Sequence, residues 1–194
     1  MDSQNILFAM FSSPRTVFTL PTLMTLTGVY DRIALSKSLY YYKKKGLVLS
    51  PRAGVYVKPG YDEKEFACAL FDPSYISLQY VLARSGVVFQ YSDRVDVICS
   101  YSRTLLVDGK EYCFRRINPF LWSDDTGILQ KEGYRIATPE RALLDVMYLY
   151  PGIGYFDRTD GLNFNLIAEI SRSYRNVSFE KRVDKWIRTN ISSL

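Results

Sequence analysis

Eight Lys and Arg residues fall within the first 60 positions against only Asp2 and Asp31, a net charge of +6. Residues 61–194 carry 17 Lys and Arg against 18 Asp and Glu, net −1, so the whole positive excess belongs to one small N-terminal stretch. Within it, Lys37, Lys43, Lys44 and Lys45 share a predicted helix with Tyr40, Tyr41 and Tyr42, while Arg32 stands near its start and Arg52 at the tip of a predicted hairpin beyond it. Cations gathered on a compact helix-plus-hairpin have the chemistry of contact with nucleic-acid phosphates. A helix bearing Lys also fits the major groove, where the ammonium can approach guanine O6 and N7.

Other chemistries are narrowed by what is absent. The chain has no histidine, which removes Ser-His-Asp and Cys-His catalysis, HExxH zinc sites and His-containing zinc fingers. It has no P-loop, no G-x-G-x-x-G and no G-x-S-x-G, so neither a nucleotide cradle nor a nucleophile elbow is visible. Cys68, Cys99 and Cys113 are odd in number and widely spaced, against both a disulfide framework and a zinc ribbon, and are expected as buried or half-buried thiols. Carboxylate chemistry stays open through Asp124-Asp125, Glu140 and Asp145, although paired acids in a loop are usually solvated turn residues. The expectation is a non-enzyme without metal or cofactor. No stretch reaches the roughly 18–20 apolar residues that span a bilayer, and Ile6 to Phe11 lacks the basic flank and cleavage pattern of a leader, so a cytoplasmic protein is expected.

The elements that must position the basic residues read as follows. Gln4 to Phe11 predicts a first helix, Thr16 to Phe18 a short extended piece, and Pro21 to Thr27 a second helix that presents Leu23 and Leu26 on one face and stops at Gly28. Asp31 caps a third helix running to Lys45. On a 3.6-residue wheel its Leu35, Leu39 and Tyr42 form an inward stripe, with Lys37, Tyr40, Tyr41 and Lys44 on the far side. Leu47 to Leu49 and Val55 to Val57 predict two strands joined through Ser50 to Gly54. Helix, glycine-containing turn, helix and hairpin together predict a winged helix-turn-helix over residues 1–60. A Lys-rich helix end can also do no more than oppose the helix dipole, and Tyr40 and Tyr41 could instead stack on unpaired bases.

Beyond Pro59-Gly60 the composition is balanced, which places a boundary there and a second domain over 61–194. Helices are predicted at Glu63 to Leu70, Ser77 to Arg84, Arg141 to Tyr150, Phe164 to Tyr174 and Ser178 to Asn190, the third introduced by Thr138-Pro139-Glu140 as cap, first residue and first-turn acid. Strands are predicted at Val95 to Cys99 and Tyr134 to Ala137, and a hairpin turns through Asp108-Gly109. The fold class is α+β: an N-terminal winged helix-turn-helix, then a mixed α+β domain with a small antiparallel sheet and C-terminal helices.

From about Thr16 to Tyr150 the sequence resembles the AbiEi family, the antitoxins and autoregulators of abortive-infection toxin–antitoxin systems. The resemblance rests on Gly54-Val55-Tyr56, on Pro73-Ser74-Tyr75-Ile76-Ser77 followed by Leu82 and Gly86, and on Ala137-Thr138-Pro139-Glu140-Arg141-Ala142-Leu143-Leu144-Asp145. It implies a winged helix that binds double-stranded repeats in its own promoter, joined to a domain that counteracts a nucleotidyltransferase toxin. The positions corresponding to the family's DNA contacts are Arg32, Ser36, Lys37, Tyr40 and Lys44, with Arg52 in the wing. Lys37, Tyr40 and Lys44 are then expected in the major groove, and Arg32, Lys43 and Arg52 on phosphates. The motifs around Pro73 and Pro139 also have plain structural uses, Tyr75 and Ile76 seating a helix, Glu140 and Asp145 capping and pairing. Two other readings remain open: a protein-interaction module that binds the toxin directly, and an enzyme using the acids named above.

Overall fold

Side chains fix most of the helix starts, Asn176 at the start of the last helix among them, its Oδ1 accepting from the Phe179 amide at 3.0 Å. In the computed structural model, which describes residues 4–122 and 124–191, Thr19, Asp31, Asp62, Thr138 and Asn163 each accept a hydrogen bond from a free amide of the following turn. Such caps satisfy donors that have no partner inside the helix. They begin α2 (Leu20–Thr27), α3 (Arg32–Lys44), α4 (Glu63–Leu70), α6 (Pro139–Leu149) and α7 (Phe164–Ser173). The remaining helices are α1 (Gln4–Ser12), α5 (Leu78–Arg84) and α8 (Val177–Ile191). Among the described residues no helix is long and apolar enough to cross a membrane.

The strands form two sheets, and the chain is a mixed α+β protein. A three-stranded antiparallel sheet has the order β1 (Val17–Thr19), β3 (Val55–Val57), β2 (Leu49–Arg52). The hairpin is tighter than its sequence predicts: β2 runs on through Ser50 and Pro51 to Arg52, which pairs with Val55. Pro51 is tolerated because β2 is an edge strand and the pairing is irregular between Leu49 and Arg52, the stretch that holds it.

The second sheet departs from the small antiparallel one expected. It has six strands in the order β6 (Arg103–Val107), β7 (Lys110–Arg116), β5 (Val95–Cys99), β4 (Tyr75–Ile76), β9 (Tyr134–Ala137), β8 (Ile128–Lys131). It is mixed: β5 runs parallel to β7 and β4 parallel to β9, with the other three pairings antiparallel. The β6–β7 turn is as predicted, with Asp108 and Gly109 at φ of 50° and 78°, the positive values a type I′ turn demands.

Buried apolar side chains fall in two clusters. Ile6, Met10, Phe18, Leu23, Leu35, Leu39, Tyr42 and Val48 hold α1, α2 and α3 together. The larger cluster fills the space between the six-stranded sheet and helices α4 to α8, and it also takes in Val17, Val55 and Val57. Because neighbouring strand residues face opposite ways, the three-stranded sheet gives Phe18 to one core and Val17 to the other. Leu26, expected inward beside Leu23, is 42% exposed, whereas Leu23 is fully buried.

Candidate nucleic-acid interface

Helix α3 divides as its spacing requires. Leu35 and Leu39 are fully buried and Tyr42 nearly so, while Arg32, Lys37, Tyr40, Tyr41, Lys43 and Lys44 are exposed and Ser36 is half-buried. At about 100° per residue, positions 33, 37, 40 and 44 lie along one line opposite the buried stripe. The helix thus turns a continuous basic and aromatic face outward.

The exposed rings support the cations beside them. Lys44 Nζ lies 5.1 Å from the Tyr40 ring centre and Lys45 Nζ lies 4.5 Å from that of Tyr41, within cation–π range. Tyr41 in turn meets Tyr42 edge-on with centroids 5.7 Å apart, which ties the outer ring to one anchored in the core. At the other end of the helix, Asp31 Oδ1 accepts from the Ile33 and Ala34 amides at 2.9 and 3.1 Å, fixing the first turn.

The predicted DNA-contact residues are not all in one place. Arg32, Ser36, Lys37 and Tyr40 line one shallow surface groove together with Ile33; Lys43 and Lys44 lie farther along α3. Arg52 belongs to a different element, closing the β2–β3 hairpin, and is half-buried. Ile33, absent from the sequence-based set, is 69% exposed on the outer line. Its angular position was the available signal, since it falls on the side of the wheel away from Leu35 and Tyr42.

Net charge separates the part of the chain that holds this helix from the rest, +6 over residues 1–60 against −1 over 61–194. Among the described residues, no carboxylate forms an ion pair with Arg32, Lys37, Lys43, Lys44 or Arg52. Beyond residue 60, Lys64, Arg84, Arg94, Lys110, Arg135, Arg141 and Arg158 all have acidic partners. Other cations beyond residue 60, Lys181 and Lys185 of α8 among them, form no ion pair among the described residues either, so what sets the α3 region apart is the net positive charge of the first 60 residues.

The two motifs from the larger part of the chain meet in the interior. Asp145 Oδ1 accepts from Tyr174 Oη at 2.5 Å and Tyr75 Oη at 3.2 Å, and its Oδ2 from Ser77 Oγ at 2.6 Å. Arg141 Nε donates to Asp145 Oδ1 at 3.4 Å, and the rest of its guanidinium donates to Tyr75 Oη and to the carbonyls of Leu121, Asp124 and Thr126. Burial pushes the Tyr75 and Tyr174 hydroxyls well above their ordinary value, with the Asp145 charge adding to it. Burial opposes the charge on Arg141, but the polar groups of Tyr174, Asp145 and Tyr75 outweigh it and hold the guanidinium protonated. These residues make a closed structural joint between β4, α6, the end of α7 and the backbone carbonyls of Leu121, Asp124 and Thr126.

The other acids also have partners. Glu140 accepts from the Asn163 amide at 3.2 Å, Asp125 pairs with Arg135, and Asp124 accepts from the Thr126 amide at 2.9 Å. Partial burial would raise the Asp124 carboxyl, yet hydrogen bonds from Thr126 keep it below its ordinary value. No group of three or more His, Cys, Asp or Glu able to hold a metal ion occurs among the described residues.

Neither a protein-family model nor a curated protein matches this chain. Among solved structures, the chain is similar to the crystal structure of the Rv2827c protein from Mycobacterium tuberculosis, with 11% identity and a TM-score of 0.52 over 95% of this chain and 76% of that one. At that identity the likeness is one of fold: the two chains share an overall architecture.

Proposed function

We propose that this protein is a DNA-binding transcriptional autorepressor and antitoxin of the AbiEi kind, counteracting a nucleotidyltransferase toxin. In this reading α1 to α3 with β1 to β3 form a winged helix-turn-helix, α3 is the recognition helix and the β2–β3 hairpin is the wing. Lys37, Tyr40 and Lys44 enter the major groove of double-stranded DNA, and Arg32, Lys43 and Arg52 hold phosphates on either side. The observation that carries the reading is the unpaired basic face of α3, presented outward by a helix whose opposite side is fully buried. Such a protein acts in the cytoplasm and needs no cofactor.

Fluorescence anisotropy with the DNA immediately upstream of the protein's own gene, against a scrambled duplex and over a range of salt, tests this. Tight, sequence-selective and salt-steep binding is the expected outcome. Equal, weak binding to both duplexes would sink it.

A second reading, direct binding of the toxin without specific DNA recognition, draws support from the larger sheet. Its edge strands β6 and β8 carry Leu106 and Leu129 at 75% and 48% exposure, and edge strands offer unpaired backbone groups to an incoming chain. Co-purification with a nucleotidyltransferase encoded beside it, together with no preference for the upstream DNA, would favour this alternative.

A further inference from the structure

We propose that α3 reads thymine through its 5-methyl group, with Ile33 as the contacting residue. The inference rests on the DNA-binding reading above and deepens it, assigning the helix a base preference that its cations alone do not give.

Ile33 joins neither hydrophobic cluster and leaves 69% of its surface in water. A β-branched residue there gains nothing from helix propensity or from burial. It is the second residue of α3, and the N-terminal residues of a recognition helix are those that meet base edges. Lys37, Tyr40 and Lys44 follow it at intervals of four, seven and eleven residues along the outward line.

The surroundings select the occupant. Ile33 lines a shallow groove with Arg32, Ser36, Lys37 and Tyr40, and neither Arg32 nor Lys37 forms an ion pair among the described residues. An apolar contact flanked by two unpaired cations is complementary to an apolar group embedded in a polyanion. In the major groove that group is the thymine methyl; cytosine offers an amino donor and guanine two acceptors. Ile33 therefore favours thymine beside the base pair or phosphate engaged by Arg32 or Lys37.

The test uses the full chain and short duplexes tiling the DNA upstream of its gene, each made once with thymine and once with deoxyuridine at every thymine position, which keeps pairing and removes only the methyl. Wild-type protein should bind its preferred duplex about fourfold more weakly for each contacted methyl removed, the change expected for burying one carbon-sized group. Ile33→Ala, whose fold should persist because the side chain is exposed, should weaken the thymine duplex by a similar factor and bring its thymine-to-uracil ratio to about one. The double comparison separates a direct contact from an effect of methyls on DNA stiffness, which the variant would still feel. Equal binding of both duplexes by wild type, or an unchanged ratio in Ile33→Ala, would overturn the inference while leaving the DNA reading intact. No preference for any thymine duplex over a scrambled one would overturn both, and that result is seen before any uracil is introduced.

Discussion

Asp145 is the side chain on which the interior of the larger unit converges, fully buried and accepting hydrogen bonds from Tyr75, Ser77, Arg141 and Tyr174. Replacing it by Ala would leave the Arg141 guanidinium buried without a counter-charge and three hydroxyls without their acceptor. Breaking a buried pair from one side costs about 3–5 kcal/mol, so Asp145→Ala should lower the unfolding free energy measured by urea titration by that much. Arg141→Met combined with Asp145→Leu should cost less than the sum of the single changes, since both charges leave together. Asp96 allows a second measurement. Burial raises its carboxyl above the ordinary value despite the Arg94 guanidinium 2.8 Å away. The folded state then keeps this proton at pH values where the unfolded chain has lost it. The group's contribution to stability is therefore fullest below its unfolded pKa and declines as pH rises through the folded one. The stability of wild type relative to Asp96→Asn, followed by urea unfolding from acid towards neutral pH, should fall across that window; a rise would contradict the assignment.

At the scale of elements, a single carboxylate fastens β1 to α4. Glu65 Oε2 accepts from the Thr16 amide and hydroxyl, both at 2.6 Å, and from the Val17 amide at 3.0 Å, while Thr16 Oγ1 accepts from the Asp62 amide at 2.9 Å. Gly133, at φ +79° between β8 and β9, lies over the same carboxylate, where a Cβ would overlap it. Each buried donor left unpaired costs about 1–3 kcal/mol, so Glu65→Ala should destabilise the protein and speed amide exchange at Thr16 and Val17 well beyond any change at Leu35 or Leu39. Gly133→Ala should act in the same direction by displacing the carboxylate. None of this joint is visible in the sequence, because its partners lie 49 residues apart and a Glu in a helix's first turn already has a local explanation. The helices were legible for the converse reason: Asp31, Thr138 and the apolar spacing of α3 act within a few residues. Strands were harder. β4 is two residues long, β8 is mostly exposed and shows no alternation, and the parallel pairing of β5 with β7 skips the local hairpin that sequence reasoning favours. The outward face of α3 was readable from the wheel. Ile33 was passed over because an apolar residue in a helix is ordinarily assigned to the core.

At the scale of the whole molecule the question is whether binding follows total charge or its placement. Net charge raises affinity for any polyanion, whereas a built interface draws on particular cations. With Arg32, Lys43 and Arg52 on phosphates, the log–log dependence of affinity on salt should have a slope of about −2.7 or steeper, each contact adding about 0.9. Lys43→Ala should make that slope shallower by about 0.9 and weaken all duplexes by a similar factor, because a phosphate contact carries no sequence information. Lys181→Ala removes the same charge from an exposed position on α8, a helix outside the proposed interface. It should leave the slope unchanged. If both substitutions shift the slope alike, the protein is attracted to DNA by its net charge and α3 has no special place in binding; if only Lys43→Ala does, the uncompensated face of that helix is where the phosphates lie.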